Sequence, residues 1–245
     1  LPSVQRELID ALHRAGKKVI LVNCSGSPIG LEPETQKCEA ILQAWYPGQQ
    51  GGKAVAEVLF GDYNPAGKLP VTFYRNVSQL PDFEDYNMTG RTYRYMQDVP
   101  LFPFGYGLSY TTFGYGKTVL DKNELTAGQS LKLTVPVTNT GKRNGEEVVQ
   151  VYLRKQGDAE GPIKTLRAFK RVSIPAGKTV NVEFDLKDKE LEWWDDQSNT
   201  VRVCPGNYDI MVGGSSKEED LQRTTIAIKS VSYTHLRAHE TLANL

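Results

Sequence analysis

The residues of this chain that could do chemistry are mostly carboxylates, aromatics and arginines. Asp82, Glu84 and Asp85 crowd the stretch between Pro81 and Tyr86. Paired carboxylates can move protons or line a polar site. Set among turn formers, these three read first as the ordinary acids of a solvated loop. Glu32 and Glu34 flank Pro33 and read as loop surface, and Glu146-Glu147 and Asp195-Asp196 are expected to be exposed. Arg91, Tyr93 and Arg94 follow the acidic cluster. A guanidinium grips oxygen ligands through a planar fork, and a tyrosine offers an apolar face with a polar tip. Trp45 ends an apolar run and is expected in a core. Trp193 and Trp194 must face opposite ways if they lie in a strand, so one fills the core and at most one is a ligand platform.

Other chemistries lack their residues. Gly48, Gly51 and Gly52 are followed by no Lys-Ser or Lys-Thr pair, so they suit a tight strand-to-helix turn better than a phosphate loop. Asn23-Cys24-Ser25-Gly26-Ser27 is not a nucleophile elbow. Cys24, Cys38 and Cys204 are odd in number and fit no zinc spacing. They read as free thiols, with a Cys24–Cys38 bridge as the alternative. His13 sits on a helix beside Arg14 and reads as surface. His235 and His239 are spaced like a helical metal pair but lack the intervening Glu of a zinc protease. No metal and no cofactor is expected. Asn76-Val77-Ser78 and Asn87-Met88-Thr89 are glycosylation triplets, which matter only in a eukaryotic secretory pathway.

The elements that must hold these residues fall into two regions. Lys plus Arg and Asp plus Glu are 29 each among 245 residues. That balance gives no electrostatic reason for a nucleic-acid or anionic-membrane partner, and neither is expected. No run approaches the roughly 20 apolar residues that span a bilayer. Residues 3–15 predict a helix with Val4, Leu8, Leu12 and Ala15 on one face, capped by Ser3 and stopped at Gly16. Val19–Val22 and Ala40–Trp45 predict strands buried on both faces, as in a parallel sheet. Gly51 opens a second helix with Ala54, Val55, Val58 and Leu59 on its apolar side, and Gly61 ends it. This is an α/β layer with too few strands to be complete, so it looks truncated on its N-terminal side. Residues 62–116 read as a long, aromatic-rich connecting segment, uncommon unless it has a job.

From about residue 118 the apolar period becomes two. It runs through Leu131–Val137, Val149–Leu153, Val180–Leu186, Tyr208–Val212 and Ile226–Ile228, with turn signals between. That pattern predicts an antiparallel β-sandwich without an immunoglobulin-type disulfide. The expected domains are therefore residues 1–116, α/β with its connecting segment, and 117–230, all-β. The last string, VSYTHLRAHETLANL at 231–245, fits neither. It resembles translated sequencing-adapter DNA and is expected to be a non-native tail.

Several long motifs, in order, resemble one family. Trp45-Tyr46-Pro47-Gly48-Gln49-Gln50-Gly51-Gly52, then Leu59-Phe60-Gly61-Asp62 through Pro70-Val71-Thr72, then Phe102-Pro103-Phe104-Gly105-Tyr106-Gly107-Leu108-Ser109-Tyr110-Thr111 are similar to the second domain of glycoside hydrolase family 3. Asn139-Thr140-Gly141, Glu147-Val148-Val149-Gln150-Val151-Tyr152 and Phe169-Lys170-Arg171-Val172 resemble the fibronectin type III-like domain that follows it. Gly90-Arg91-Thr92-Tyr93-Arg94 looks like the branch rich in β-xylosidases and arabinofuranosidases. The resemblance implies a fragment of a retaining, exo-acting hydrolase that releases β-linked xylose or glucose from non-reducing ends. It implies a nucleophilic Asp in an N-terminal barrel and an acid/base Glu shortly before a segment matched here by Leu1-Pro2-Ser3-Val4-Gln5. Neither carboxylate falls on this chain, so no catalytic residue is expected in it, and it is expected to be inactive alone. Its implied partners are an oligosaccharide substrate and the missing barrel of the same chain, and its implied location is periplasmic or secreted. Arg91 and Tyr93 become the candidate substrate contacts, and Asp82, Glu84 and Asp85 a possible acidic lip. A carbohydrate-binding or structural module, with Trp193 or Trp194 as platform, is the alternative.

Overall fold

A computed structural model describes residues 1–230. The expected non-native tail, with His235 and His239, lies outside the described residues. The first region holds helix α1 (Ser3–Arg14), strand β1 (Ile20–Asn23), a short helix α2 (Glu32–Thr35), strand β2 (Ala40–Gln43) and helix α3 (Gly51–Phe60). β1 and β2 pair in parallel, with Leu21 opposite Ile41. The turn into α3 is tight: a Cβ on Gly51 would sit 2.5 Å from the Pro47 ring, so only glycine fits there.

Three expectations are corrected in this region. Ser3 does not cap α1; Pro2 precedes the helix and no side chain caps it. The α1 stripe does not enter a core: Val4 is 68% and Leu8 61% exposed, and the residue the helix buries is Ile9. β1 and β2 are only partly buried, Ile20 being more than half exposed, because the pair has a helix or sheet neighbour on too few sides. Glu34 is a fourth departure. It is buried, and Arg6 Nε donates to its Oε1 at 2.9 Å, so the acid read as loop surface anchors α2 to α1.

The connecting segment is mostly irregular, as expected, with helix α4 (Thr92–Tyr95) and an antiparallel bridge between Phe73 and Phe102. Phe73 is fully buried between the rings of Trp45 and Phe102, at 6.1 and 6.2 Å.

The rest is a two-sheet sandwich. Its strands are β3 (Phe113–Tyr115), β4 (Val119–Leu120), β5 (Glu124–Thr126), β6 (Leu131–Asn139), β7 (Gly145–Lys155), β8 (Thr165–Ile174) and β9 (Thr179–Leu186). After helix α5 (Asp188–Leu191) come a small hairpin, β10 (Trp193–Asp195) with β11 (Thr200–Arg202), then β12 (Gly206–Gly213) and β13 (Gln222–Lys229). One sheet runs β5-β13-β12-β7-β8; in the other, β6 pairs with β9 on one side and with β3 and β4 on the other. All pairs in the sandwich are antiparallel except β5 with β13. The core is the inner face of both sheets: Leu131, Leu133, Val135 and Val137 face Val149, Val151, Leu153, Ile210 and Val212. The expected alternation is thus the packing pattern. β8 carried no such signal, because as an edge strand it keeps much of both faces open.

Candidate functional site

The acidic loop is locally wired. Asp82 Oδ1 accepts from the Glu84 amide at 2.9 Å, and Asp85 Oδ1 accepts from the Asn87 amide and side chain at 2.9 and 2.7 Å. The Asn87 backbone amide, then its side chain, hold the Asp85 carboxyl below its ordinary value. A general acid needs the opposite shift. Arg91 turns its fork inward: Nε donates to the Asn87 carbonyl at 2.9 Å and a terminal nitrogen donates to the Asp85 carbonyl. The loop so tied presents Phe83 and Tyr86, each about nine-tenths exposed.

Tyr93 lies where the connecting segment meets the sandwich. Its ring stacks on Phe104 at 4.3 Å, meets Tyr152 edge-on at 5.9 Å, and its hydroxyl accepts from the Leu166 amide at 3.1 Å. Arg94 offers its carbonyl to the Ile163 amide at 2.6 Å. Thr92, between Arg91 and Tyr93, has φ of 55°, a costly conformation for a β-branched residue, and its amide donates to the Tyr74 hydroxyl. The structure therefore does not bring Arg91 and Tyr93 to a common point. One holds the loop and the other seats it on β7 and β8.

The outer face of β7 explains the motif around Gln150. Val149, Val151 and Leu153 point into the core, so Gln150, Tyr152 and Arg154 point out toward the connecting segment. The Gln150 amide donates to the carbonyls of Gly105 (3.1 Å) and Gly214 (2.6 Å), and its oxygen accepts from the Tyr152 hydroxyl. Gly105, at φ of 77°, is required: a Cβ there would meet Gln150 Oε1 at 2.0 Å. Nearby, Asn64 accepts from Ser109 and the Tyr110 amide while donating to the Asn144 carbonyl, and Arg171 donates to the Tyr63 hydroxyl.

Glu147 was expected to be exposed and is instead 4% exposed. Lys68 Nζ lies 3.2 Å from its Oε1, and the Tyr115 hydroxyl donates to the same oxygen at 2.9 Å. Burial pushes the Glu147 carboxyl up, against the pull of Lys68. It is a carboxylate of raised basicity, tied by Lys68 to the connecting segment and by Tyr115 to strand β3 within the sandwich. Sequence reading missed this because a charge at the end of a strand looks like surface until Lys68, some 80 positions earlier, is placed over it. The signal available was the register: Glu147 falls on the same side of the strand as Val149, Val151 and Leu153, which face the core.

Trp193 and Trp194 divide as expected, whereas Trp45, expected in a core, is only partly buried. Trp193 is buried, donates to Asp158 and packs edge-on to Tyr208, while Trp194 is half exposed and donates to Asp196. Trp45 has φ of 55° and its ring edge on Phe73. All three cysteines are free. Among the described residues no group of three or more His, Cys, Asp or Glu could hold a metal, and no helix is long and apolar enough to cross a membrane.

Comparison with known proteins places this geometry. Residues 1–110 match the glycosyl hydrolase family 3 C-terminal domain and residues 147–216 the fibronectin type III-like domain. A xylan 1,4-beta-xylosidase from Xylanibacter ruminicola is 57% identical over 228 residues, covering 93% of this chain and 26% of that protein. A periplasmic beta-glucosidase from Salmonella typhimurium is 39% identical over 229 residues, covering 88% and 30%. The solved beta-glucosidase of Erythrobacter marinus superposes with a TM-score of 0.80 at 41% identity over 92% of this chain and 30% of its own. The chain thus spans about a quarter to a third of the length of the relatives it matches. By its matched C-terminal domain and the fibronectin type III-like domain behind it, the chain belongs to glycosyl hydrolase family 3.

Proposed function

We propose that this chain is the non-catalytic support of a retaining, exo-acting glycosidase that releases β-linked xylose or glucose, with xylose favoured. The observation that carries the reading is the 57% identity with a protein named for xylosidase action, spread over nearly the whole described chain. The catalytic pair belongs to the remainder of such an enzyme. Retention needs two carboxylates about 5 Å apart, one of them kept protonated for the leaving group. Here the buried Glu147 is held by Lys68 and Tyr115, and Asp85 is kept anionic. In this reading a barrel domain of the same protein supplies the nucleophile, and the stretch just ahead of the Leu1-Pro2-Ser3-Val4-Gln5 segment supplies the acid/base. Residues 1–116 form part of the cleft wall, and residues 117–230 brace it through Gln150, Glu147 and Tyr152. Arg91 and Tyr93 then act on substrate by fixing the loop that carries Phe83 and Tyr86, with Asp82, Glu84 and Asp85 as its polar edge. The periplasmic relative supports a periplasmic or secreted location.

The test is hydrolysis of aryl β-xyloside and aryl β-glucoside by the purified chain, alone and joined to the upstream barrel and the acid/base-bearing stretch of a family member. No nitrophenol release alone, and release on joining with xyloside preferred, is the expected pair of results. Turnover by the isolated chain would overturn the reading.

A further inference from the structure

We propose that the groove between the connecting segment and the sandwich binds a sugar carrying a carboxylate, a hexuronate residue, through the Arg154 guanidinium. This site is independent of the hydrolytic reading, since it needs none of the catalytic groups. The groove has a volume of about 670 Å³, within the usual range of about 300–1,000 Å³ for small-molecule sites. Its walls come from both regions of the chain, so folding of the two together creates it. Tyr93, Phe102 and Tyr106 supply aromatic surface, and the apolar face of a sugar ring packs well on such rings.

The charge pattern selects the ligand. Three of the four wall cations have acidic partners: Arg75 with Glu32 at 2.8 Å, Lys164 with Glu218 at 2.7 Å, and Lys217 with Glu219 at 3.7 Å. The donors of Lys164, which is buried, are further used on the Ser216 carbonyl. Arg154 is the exception, having no ion-pair or hydrogen-bond partner for its side chain among the described residues. Asp209 stands opposite it across the β7–β12 ladder, but that carboxylate is taken by Gln156, Thr225 and Arg223. One unmatched guanidinium in a groove that also has aromatic lining fits a single planar carboxylate, which it can grip with two parallel hydrogen bonds. A phosphate dianion fits poorly, because Asp98, Glu218 and Glu219 share the wall and repel a second negative charge.

The experiment is amide chemical-shift titration of the 245-residue chain with methyl β-D-glucuronide, methyl β-D-glucoside and acetate, at matched ionic strength. The glucuronide is expected to shift amides in 93–106 and 154–164 saturably, with the glucoside and acetate at least tenfold weaker. Arg154→Met should remove the glucuronide response, and Arg154→Lys should weaken it by keeping the charge without the fork. Arg154 lies on the outer face of β7, away from the core, and the ligand comparison on the unchanged protein decides the matter if either variant misfolds. No shifts with glucuronide, equal shifts with the neutral glucoside, or equal shifts with acetate would each overturn the proposal.

Discussion

Replacing Lys68 with Met tests whether the buried Glu147 truly joins the two regions. The two charges lie 3.2 Å apart, with side chains 15% and 6% exposed. At an effective dielectric near 20, attraction at that distance is about 5 kcal/mol. The net loss is smaller, because a stranded carboxylate takes up a proton rather than remain charged; breaking one side of a buried pair costs about 3–5 kcal/mol. We expect about 3 kcal/mol at pH 8, a fall of about 10 °C in melting temperature for a protein of this size. The pH dependence carries the sharper signature. Burial already raises the Glu147 carboxyl above its ordinary 4.5 in the folded protein. A carboxyl raised on folding favours the folded state fully below its unfolded value, and this contribution is lost as pH rises through the folded value. Removing Lys68 raises the folded value further. The deficit of Lys68→Met should therefore be largest at pH 8 and shrink toward pH 5, and the added change Glu147→Gln should recover much of it at pH 8. Equilibrium denaturation of the three proteins at both pH values measures this. A deficit that is independent of pH, or a double variant no better than the single, would refute the linkage of Glu147 to Lys68.

Other perturbations follow from the same contacts. Gln150→Leu strands the carbonyls of Gly105 and Gly214 and should cost about 2–3 kcal/mol in denaturant unfolding. Gly105→Ala meets Gln150 at an impossible distance in a left-handed conformation, and should lower the melting temperature by several degrees with a loss above about 1 kcal/mol. Trp193→Ala should cost about 3–5 kcal/mol, whereas Trp194→Ala should change stability by less than about 0.5 kcal/mol. If Trp194 instead serves as a glycan platform, its replacement will release the chain from insoluble xylan without changing the melting curve.

The connecting segment is fixed to its own loop and to the sandwich through neighbouring residues. Thr92 sits in a strained conformation, stacked in sequence between an arginine that ties the acidic loop and a tyrosine that ties the sandwich. Strain of this kind persists only where neighbours over-determine the backbone. The Tyr74 hydroxyl, Phe104 and the Leu166 amide supply that constraint.

Sequence by itself determined the local periods and the punctuation. Alternation along Leu131–Val137 and Val180–Leu186 was enough to give a sandwich, because a strand with one buried face must alternate. Gly51 after Pro47 and the apolar positions of residues 51–60 were enough to give a helix entered by a tight turn. Trp193 and Trp194 split between core and surface because adjacent strand residues face opposite ways. Tertiary structure alone decided what was joined over long separations. It buried Glu34 under Arg6 and Glu147 under Lys68, turned Arg91 onto its own loop, and left the α1 stripe of Val4 and Leu8 exposed. The reason is that burial belongs to a pair of elements, not to a residue. A charge is surface or anchor according to what the fold lays over it, and no periodicity within one segment records what another segment brings.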